Sequence, residues 1–176
     1  MPKKIRPIRV EGNIAFVPLT RGYEAVIDAD DVGIVSNWNW YAVVKRSVDG
    51  SVRTVYAARK DTISGGWPTL FLHRAIAKTP EGMETDHRDG DGLNNRRSNL
   101  RAATKSQNGC NQSRSCRNAS GFKGVYWCSK SNKWQAQISL HGKCKSLGFF
   151  ASIYQAAEAY AVASKAIHGE FGRADI

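Results

Sequence analysis

The sequence lacks the long apolar run that a membrane-spanning helix requires, and no signal-peptide-like apolar stretch follows its basic first residues. It also lacks a C-x-x-C pair, although it contains four cysteines. These absences weigh against a membrane protein, a disulfide-bonded secreted scaffold and a zinc ribbon, and a structural zinc site stays open only as a minor alternative. We therefore expect a cytoplasmic protein without membrane attachment, in which Cys110, Cys116, Cys128 and Cys144 stay reduced.

Positive charge is what the sequence has in excess. Its 176 residues include 26 Lys and Arg against 15 Asp and Glu, which gives a formal net charge of +11. Apolar residues make up 41% of the chain, enough to bury a core in one domain or in two or three small ones. A basic chain that also carries aromatic side chains favours a nucleic-acid partner.

The pattern of apolar and polar residues predicts an α+β fold that is built from consecutive segments of the chain. Short β-type runs such as NIAFVPL and SVRTVYAAR fill the first part, where Asp49-Gly50 predicts a hairpin turn. Acidic residues at 28–31 predict the start of a short helix. The expected domains are an N-terminal small antiparallel β region at 1–68, a polar central segment at 69–114, a linker at 115–120 and a C-terminal domain at 121–176.

Three strands and one helix are predicted in the C-terminal segment. In KWQAQISL, apolar and polar residues alternate, which indicates a strand with one buried face and one polar face. The pattern Ser152-x-x-Gln155 predicts a capping box at the start of a helix, and Gly169 predicts its end. We expect a three-stranded antiparallel sheet packed on that helix, with Trp134 and Phe149 in the core.

The central segment holds the stretch TDHRDGDGLNNRRSNLRAATKSQN. His87 is the side chain there whose unperturbed pKa lies near neutrality, so it is the natural general base. Asp86 offers a carboxylate oxygen, and Asn108 offers an amide oxygen from a helix that the Thr104-x-x-Gln107 capping box predicts. Such donors suit Mg²⁺ or Mn²⁺, and a divalent ion beside a base predicts phosphodiester hydrolysis.

The spacing of this stretch resembles the HNH endonuclease motif, in the variant of phage and intron-encoded nucleases where Asn replaces the last His. The resemblance implies a ββα-metal site in which His87 is the general base, and Asn99 braces the loop and orients that base. It also implies that Asp86 and Asn108 bind one divalent metal ion. The residues that carry it are Asp86-His87, Asp89-Gly90, Asn94-Asn95, Asn99-Leu100-Arg101, Thr104 and Gln107-Asn108.

Other residues of the central segment receive simpler interpretations. Arg74 follows Leu72-His73 in a segment similar to the one that precedes the motif in that family, and it is a candidate for phosphate contact. Arg96 and Arg97 are candidates for the same role. The acidic and amide residues of the loop are interpreted as turn formers: Asp89, Asp91, Asn94 and Asn95.

The C-terminal segment contains the motifs GFKGV, KWQAQI, LGF, Ala156-Ala157, Ala159-Tyr160 and HGEF. This pattern resembles the APETALA/ERF-type DNA-binding domain. The resemblance implies that the exposed face of the sheet meets DNA, with glutamines at base edges and lysines at phosphates. Because these strands carry no arginine, we expect sequence-tolerant binding. The candidate contacts are Lys123, Tyr126, Gln135, Gln137, Ser139, Lys143 and Lys145.

Together these observations predict a metal-dependent HNH endonuclease of the homing type, in a bacterial or phage-infected host cell. The expected partner is double-stranded DNA, and one site per chain indicates nicking by a monomer or double-strand cutting by a weak dimer. The N-terminal region resembles that of phage nucleases with both modules. The alternative is a DNA-binding or regulatory protein without catalytic activity.

Overall fold

The computed structural model describes residues 4–61, 69–114, 118–140 and 142–174. The chain forms two compact units, Met1–Ala103 and Thr104–Ile176. The domain limits expected from the sequence stay predictions, and residues 115–117 of the expected linker lie outside the described residues. Across the described ranges, no helix is both long enough and apolar enough to cross a membrane.

The first unit is built from small antiparallel sheets. Strands β1–β3 form one three-stranded sheet, β4–β6 form another, and β7 and β8 form a hairpin. The short helix α1 follows a 3-10 turn, and α2 follows β6 directly. The bounds are β1 Arg9–Glu11, β2 Ile14–Pro18, β3 Glu24–Asp28, α1 Val32–Val35, β4 Tyr41–Arg46, β5 Val52–Lys60, β6 Thr69–Phe71, α2 Leu72–Ala77, β7 Glu84–His87 and β8 Leu100–Ala103.

One hydrophobic core holds these elements together. Its largest fully buried side chain is Trp40, whose indole Nε1 donates a hydrogen bond to the carbonyl oxygen of Val35 at 3.1 Å. Ile27 of β3, Leu72 and Ile76 of α2 are each 0% exposed. Helix α2 therefore anchors the segment that precedes the hairpin, because it buries one face at period 3.6.

The second unit contains two helices and a three-stranded antiparallel sheet in the order β11-β10-β9. Helix α4 covers one face of that sheet, where Ala136 and Ile138 pack against Ala156, Ala157 and Tyr160. The mixed α+β fold expected from the sequence is therefore confirmed. The bounds are α3 Lys105–Asn111, β9 Val125–Cys128, β10 Lys133–Leu140, β11 Lys143–Phe150 and α4 Ile153–His168.

The structure corrects two details of the second unit. Ser152 caps α4 by accepting from the backbone N–H of Tyr154 at 3.2 Å, so the cap forms without the reciprocal bond that was expected from Gln155. Phe149 is 49% exposed, so it does not belong to the core. Its position opposite Gln135 explains this, because directly paired residues share a face and that face is the polar one.

Candidate active site

Strand β7 ends at His87, so the predicted metal ligand Asp86 and the predicted general base His87 lie where β7 enters the loop that connects it to β8. Asp86 lies directly opposite Arg101, and His87 lies opposite Leu100. The guanidinium of Arg101 contacts Oδ2 of Asp86 through Nε at 2.8 Å and through Nη2 at 2.7 Å. Both side chains are almost completely buried, at 6% and 4% exposure, so the pair is shielded from solvent.

The loop between the two strands is braced by the side chain of Asn99. Its Oδ1 accepts from the backbone N–H of Asp89 at 3.1 Å, and its Nδ2 donates to Oδ1 of Asp89 at 2.9 Å and to the carbonyl oxygen of Asn94 at 2.8 Å. Asp89 also accepts from the backbone of Asp91 and from Nδ2 of Asn94. Asn99 thus spans the loop, while its catalytic role stays a prediction.

His87 lies in a cluster of aromatic rings from three other elements. The ring of His73 on α2 meets it edge-on, with centroids 5.1 Å apart and planes at 90°. Tyr56 of β5 lies 5.9 Å from His87 and 5.6 Å from His73, and Phe71 stacks on His73 at 5.3 Å. The cluster holds the imidazole among apolar groups and keeps it out of bulk water.

This burial controls the protonation of both histidines. Burial lowers the pKa of His87 below its ordinary value, although the hydrogen bond with Asn95 and the charges of Asp89, Asp86 and Asp91 oppose that effect. Burial, together with the charges of His87 and Arg74, lowers the pKa of His73 to about 3. Both imidazoles are therefore neutral at pH 7, which is the state that a general base needs.

Asn95 is the partner of His87 that the sequence interpretation missed. It is 0% exposed, and its Oδ1 lies 3.4 Å from Nε2 of His87. The interpretation of Asn95 as a simple turn former was wrong in this respect. An Asn-Asn pair carries no local signal that one of its amides turns inward, so the contact was missed. Tyr56 was likewise not recognised as a neighbour of the site, since it lies on β5, far from His87 in the chain.

The arginines expected to contact phosphate have partners within the first unit. Nε of Arg96 donates to Oδ1 of Asp28 at 2.8 Å. Nε and Nη2 of Arg97 both contact the carboxylate of Asp31, the latter at 2.6 Å from Oδ1. Arg74 is exposed on α2 and donates to a backbone carbonyl. The ion pairs give Arg96 and Arg97 a structural role, and DNA contact by all three stays a prediction.

Asn108, the second expected metal ligand, belongs to the second unit, where it lies on α3. The predicted capping box of this helix is present, with Thr104 Oγ1 accepting from Gln107 N–H and Gln107 Oε1 accepting from Thr104 N–H. Nζ of Lys123 donates to the carbonyl oxygens of Cys110 and Gln112, each at 2.6 Å. Lys123 therefore holds the C-terminal end of α3, in addition to any contact with DNA.

Most residues of the C-terminal sheet that were predicted to contact DNA lie on the face opposite α4, which we call the open face. Tyr126 pairs with Gln135 across β9 and β10, and Gln135 donates to Oγ of Ser146 at 3.4 Å. Gln137 and Ser139 follow at period two on β10. The open face thus carries the residues Tyr126, Gln135, Gln137, Ser139, Ser146 and Phe149.

Lys143 and Lys145 do not lie on the open face, contrary to expectation. Lys145 pairs with the buried Ile138, and Lys143 pairs with Leu140, so both share the side on which α4 packs. The cause is a register shift between Ala136 and Gln137, which inserts one extra residue into β11 and reverses the facing of the residues that precede it, among them Lys143 and Lys145. Both lysines remain exposed at the start of β11.

A model of the family described as HNH endonuclease matches residues 73–110, which include most of α2, the hairpin and most of α3. The chain carries an HNH endonuclease domain. It also belongs to one protein family with Protein 3.8 of Escherichia phage T7, which is 31% identical over 94 residues, or 53% of this chain and 77% of that protein.

A second relative is named as an HNH endonuclease, from Acanthamoeba polyphaga mimivirus. It is 29% identical, over 92% of this chain and 81% of its own length. No solved structure gives a significant match. The family match ends at residue 110 and gives no support to the APETALA/ERF resemblance of the C-terminal domain.

HNH nucleases generally use a divalent metal ion, and the donor chemistry of the HNH domain fits one. Asp86 provides a carboxylate, which can accept at both oxygens, so its ion pair with Arg101 and coordination through one oxygen are compatible. Among the described residues, no three or more His, Cys, Asp and Glu side chains form a group that could hold a metal.

Proposed function

We propose that the chain is a metal-dependent endonuclease of the HNH homing type that hydrolyses phosphodiester bonds of double-stranded DNA in a bacterial or phage-infected cell. One observation carries the proposal: a buried imidazole, His87, directly follows the carboxylate of Asp86 at the end of β7, inside the matched HNH domain. Burial lowers the pKa of that imidazole, so the neutral base dominates at pH 7.

In the proposed reaction His87 takes a proton from water as the water oxygen attacks phosphorus. The bond from phosphorus to the leaving sugar oxygen breaks, and that oxygen leaves with the electron pair and is then protonated by solvent. Asp86 and Asn108 would hold one Mg²⁺ or Mn²⁺ ion, and such an ion would stabilise negative charge on the phosphate and on the leaving oxygen. Asn99 would keep the loop after His87 in place.

The C-terminal domain is proposed to hold the DNA in the manner of an APETALA/ERF-type domain. Support comes from the open face, where Tyr126 is 45% exposed and polar side chains of β10 lie beside it. Gln135, Gln137 and Ser139 would approach base edges, whereas Lys143 and Lys145 at the start of β11 suit phosphate contact only. Such binding tolerates many sequences.

The deciding experiment is cleavage of supercoiled plasmid with Mg²⁺ or Mn²⁺, comparing wild type, His87→Ala and the matched control His168→Ala. We expect wild type and the control to nick or cut the plasmid, EDTA to stop both, and His87→Ala to lose at least about 100-fold in rate. A wild type that shifts the plasmid in a gel but leaves it intact would instead establish a DNA-binding protein without catalytic activity.

A further inference from the structure

The orientation of the Asn95 amide is set by two carbonyl groups of its own loop. Nδ2 donates to the carbonyl oxygen of Leu93 at 2.9 Å and to that of Gly92 at 3.4 Å. A carbonyl oxygen only accepts hydrogen bonds, so the amide nitrogen must face these two groups. The amide oxygen, Oδ1, is therefore the atom that faces His87.

This orientation determines which nitrogen of His87 carries the proton. Oδ1 of Asn95 lies 3.4 Å from Nε2, and an amide oxygen is only an acceptor. A neutral imidazole has one N–H, so the contact favours the proton on Nε2 and leaves the lone pair on Nδ1. Asn95 is fully buried, and water does not compete for this contact.

The N-terminal sheet holds Asn95 in that place. The backbone N–H of Asn95 donates to the carbonyl oxygen of Val26 at 2.7 Å, and the N–H of Val26 donates to the carbonyl oxygen of Leu93 at 2.8 Å. Residue 94 forms an isolated parallel bridge with Val26, so the loop is tied to the edge of β3 at this point. Directly after it, Asp28 at the end of β3 accepts from Arg96 Nε and from Arg97 N–H, each at 2.8 Å.

We infer that Asn95 is a positioning residue for His87 and that the N-terminal β region serves catalysis by holding Asn95 against the imidazole. The inference rests on the proposed function for its catalytic consequence. It also explains what the N-terminal region contributes, because β3 fixes the loop, the loop fixes the amide, and the amide fixes the tautomer of the base. The Asn95 contact is separate from the brace that Asn99 provides, since Asn99 bonds to Asp89 and Asn94.

Two measurements test the inference. Nitrogen-15 NMR of the histidine side chains of the whole protein at neutral pH reads the tautomer of His87 without any need for DNA cleavage. Plasmid cleavage then compares kcat and KM for Asn95→Leu, which keeps the size and removes the polar atoms, and for Asn95→Asp, which keeps an acceptor. Asn39→Ala is the matched control, since that half-buried amide bonds to Lys4 and Arg6 in the same unit and not to the loop.

We expect wild-type His87 to carry its proton on Nε2 and Asn95→Leu to show a mixture of tautomers. In that variant kcat should fall about 10–100-fold with KM unchanged, while Asn95→Asp recovers part of the loss and Asn39→Ala has no effect. Asp28→Ala should shift the tautomer in the same direction by a smaller amount, which would establish the link to β3.

A proton on Nδ1 in wild-type His87 would overturn the inference, even if Asn95→Leu failed to fold. An Asn95→Leu protein that folds and keeps both tautomer and kcat would overturn it as well. If the wild type never cuts DNA, the proposed function fails by itself, and the NMR result still decides whether Asn95 sets the tautomer.

Discussion

Nε and Nη2 of Arg101 both contact Oδ2 of Asp86, at 2.8 and 2.7 Å, between directly opposite residues of the β7–β8 hairpin. The ion pair is buried, so each charge depends on the other for compensation. Arg101 thereby provides a cationic partner for the buried carboxylate that is the proposed metal ligand. Removing Arg101 should therefore reduce the stability of the protein as well as its activity.

Replacing Arg101 with Met is expected to lower the free energy of unfolding by about 3–5 kcal/mol, because an uncompensated buried carboxylate remains. The double variant Asp86→Leu, Arg101→Met removes both charges, so its free energy of unfolding should fall much less. Urea unfolding of the two single variants and the double variant measures this coupling. Lys45→Ala on the exposed end of β4 is the control, and equal losses for the double variant and the summed singles would contradict the prediction.

Arg97→Ala is expected to destabilise the protein more than Arg96→Ala. The side chain of Asp31, the partner of Arg97, is 2% exposed, whereas that of Asp28, the partner of Arg96, is 22% exposed. Removing the guanidinium that pairs with the more buried carboxylate should therefore lower the free energy of unfolding more, by about 1–3 kcal/mol here. Chemical unfolding gives the two values, and the reverse order would show that burial of the acid does not control the cost.

The secondary structure of this chain was predictable because its local signals agree with its fold. The Thr104-x-x-Gln107 box starts α3, the alternation in KWQAQISL marks β10, and Asp49-Gly50 turns between β4 and β5. The order of motif residues likewise located the hairpin and its histidine. These features depend on neighbours within a few positions, which a single sequence displays directly.

The missed features depend on contacts between distant positions. Arg96 meets Asp28 across 68 positions, and Asn95 turns inward only because β3 pairs with the loop. The misplaced lysines of β11 have a local cause: one extra residue in the strand reverses which side faces α4. Alternation alone therefore assigned a face to Lys145 that the register does not allow.

His73 is expected to make the protein less stable in acid. Its pKa is about 3 in the folded chain and near 6.5 when unfolded, so the unfolded state binds more protons between these values. Stability should therefore fall as pH drops below about 6.5, by on the order of 1–2 kcal/mol from this residue at pH 5. Urea unfolding at pH 7 and pH 5 measures the loss in wild type and in His73→Phe.

The Phe variant keeps a ring for stacking on Phe71 and removes the titrating group. It should lose less stability between pH 7 and pH 5 than the wild type does. Some acid sensitivity will remain, because burial also lowers the pKa of His87. Identical pH dependence in the two proteins would contradict the buried, neutral state of His73.

Gly124 is expected to be irreplaceable in the second unit. It has a φ of +71°, and a Cβ there would lie 2.2 Å from the ring of Tyr160 on α4 and 2.6 Å from the carbonyl oxygen of Gln137. Gly121 provides a matched control, since its φ is also positive, at +84°, but a Cβ would meet nothing within 4 Å. Gly121→Ala should cost about 1 kcal/mol of backbone strain, whereas Gly124→Ala should cost at least ~3 kcal/mol.

Amide hydrogen exchange in the whole protein separates the backbone strain of a positive φ from the clash between a Cβ at position 124 and Tyr160. The N–H of Gln137 donates to the carbonyl oxygen of Gly124 at 2.9 Å, so its exchange rate reports directly on the packing of this strand against α4. We expect exchange at Gln137 to accelerate strongly in Gly124→Ala and only slightly in Gly121→Ala. Equal acceleration in both variants would mean that the backbone conformation, and not the close approach of Tyr160, accounts for the glycine.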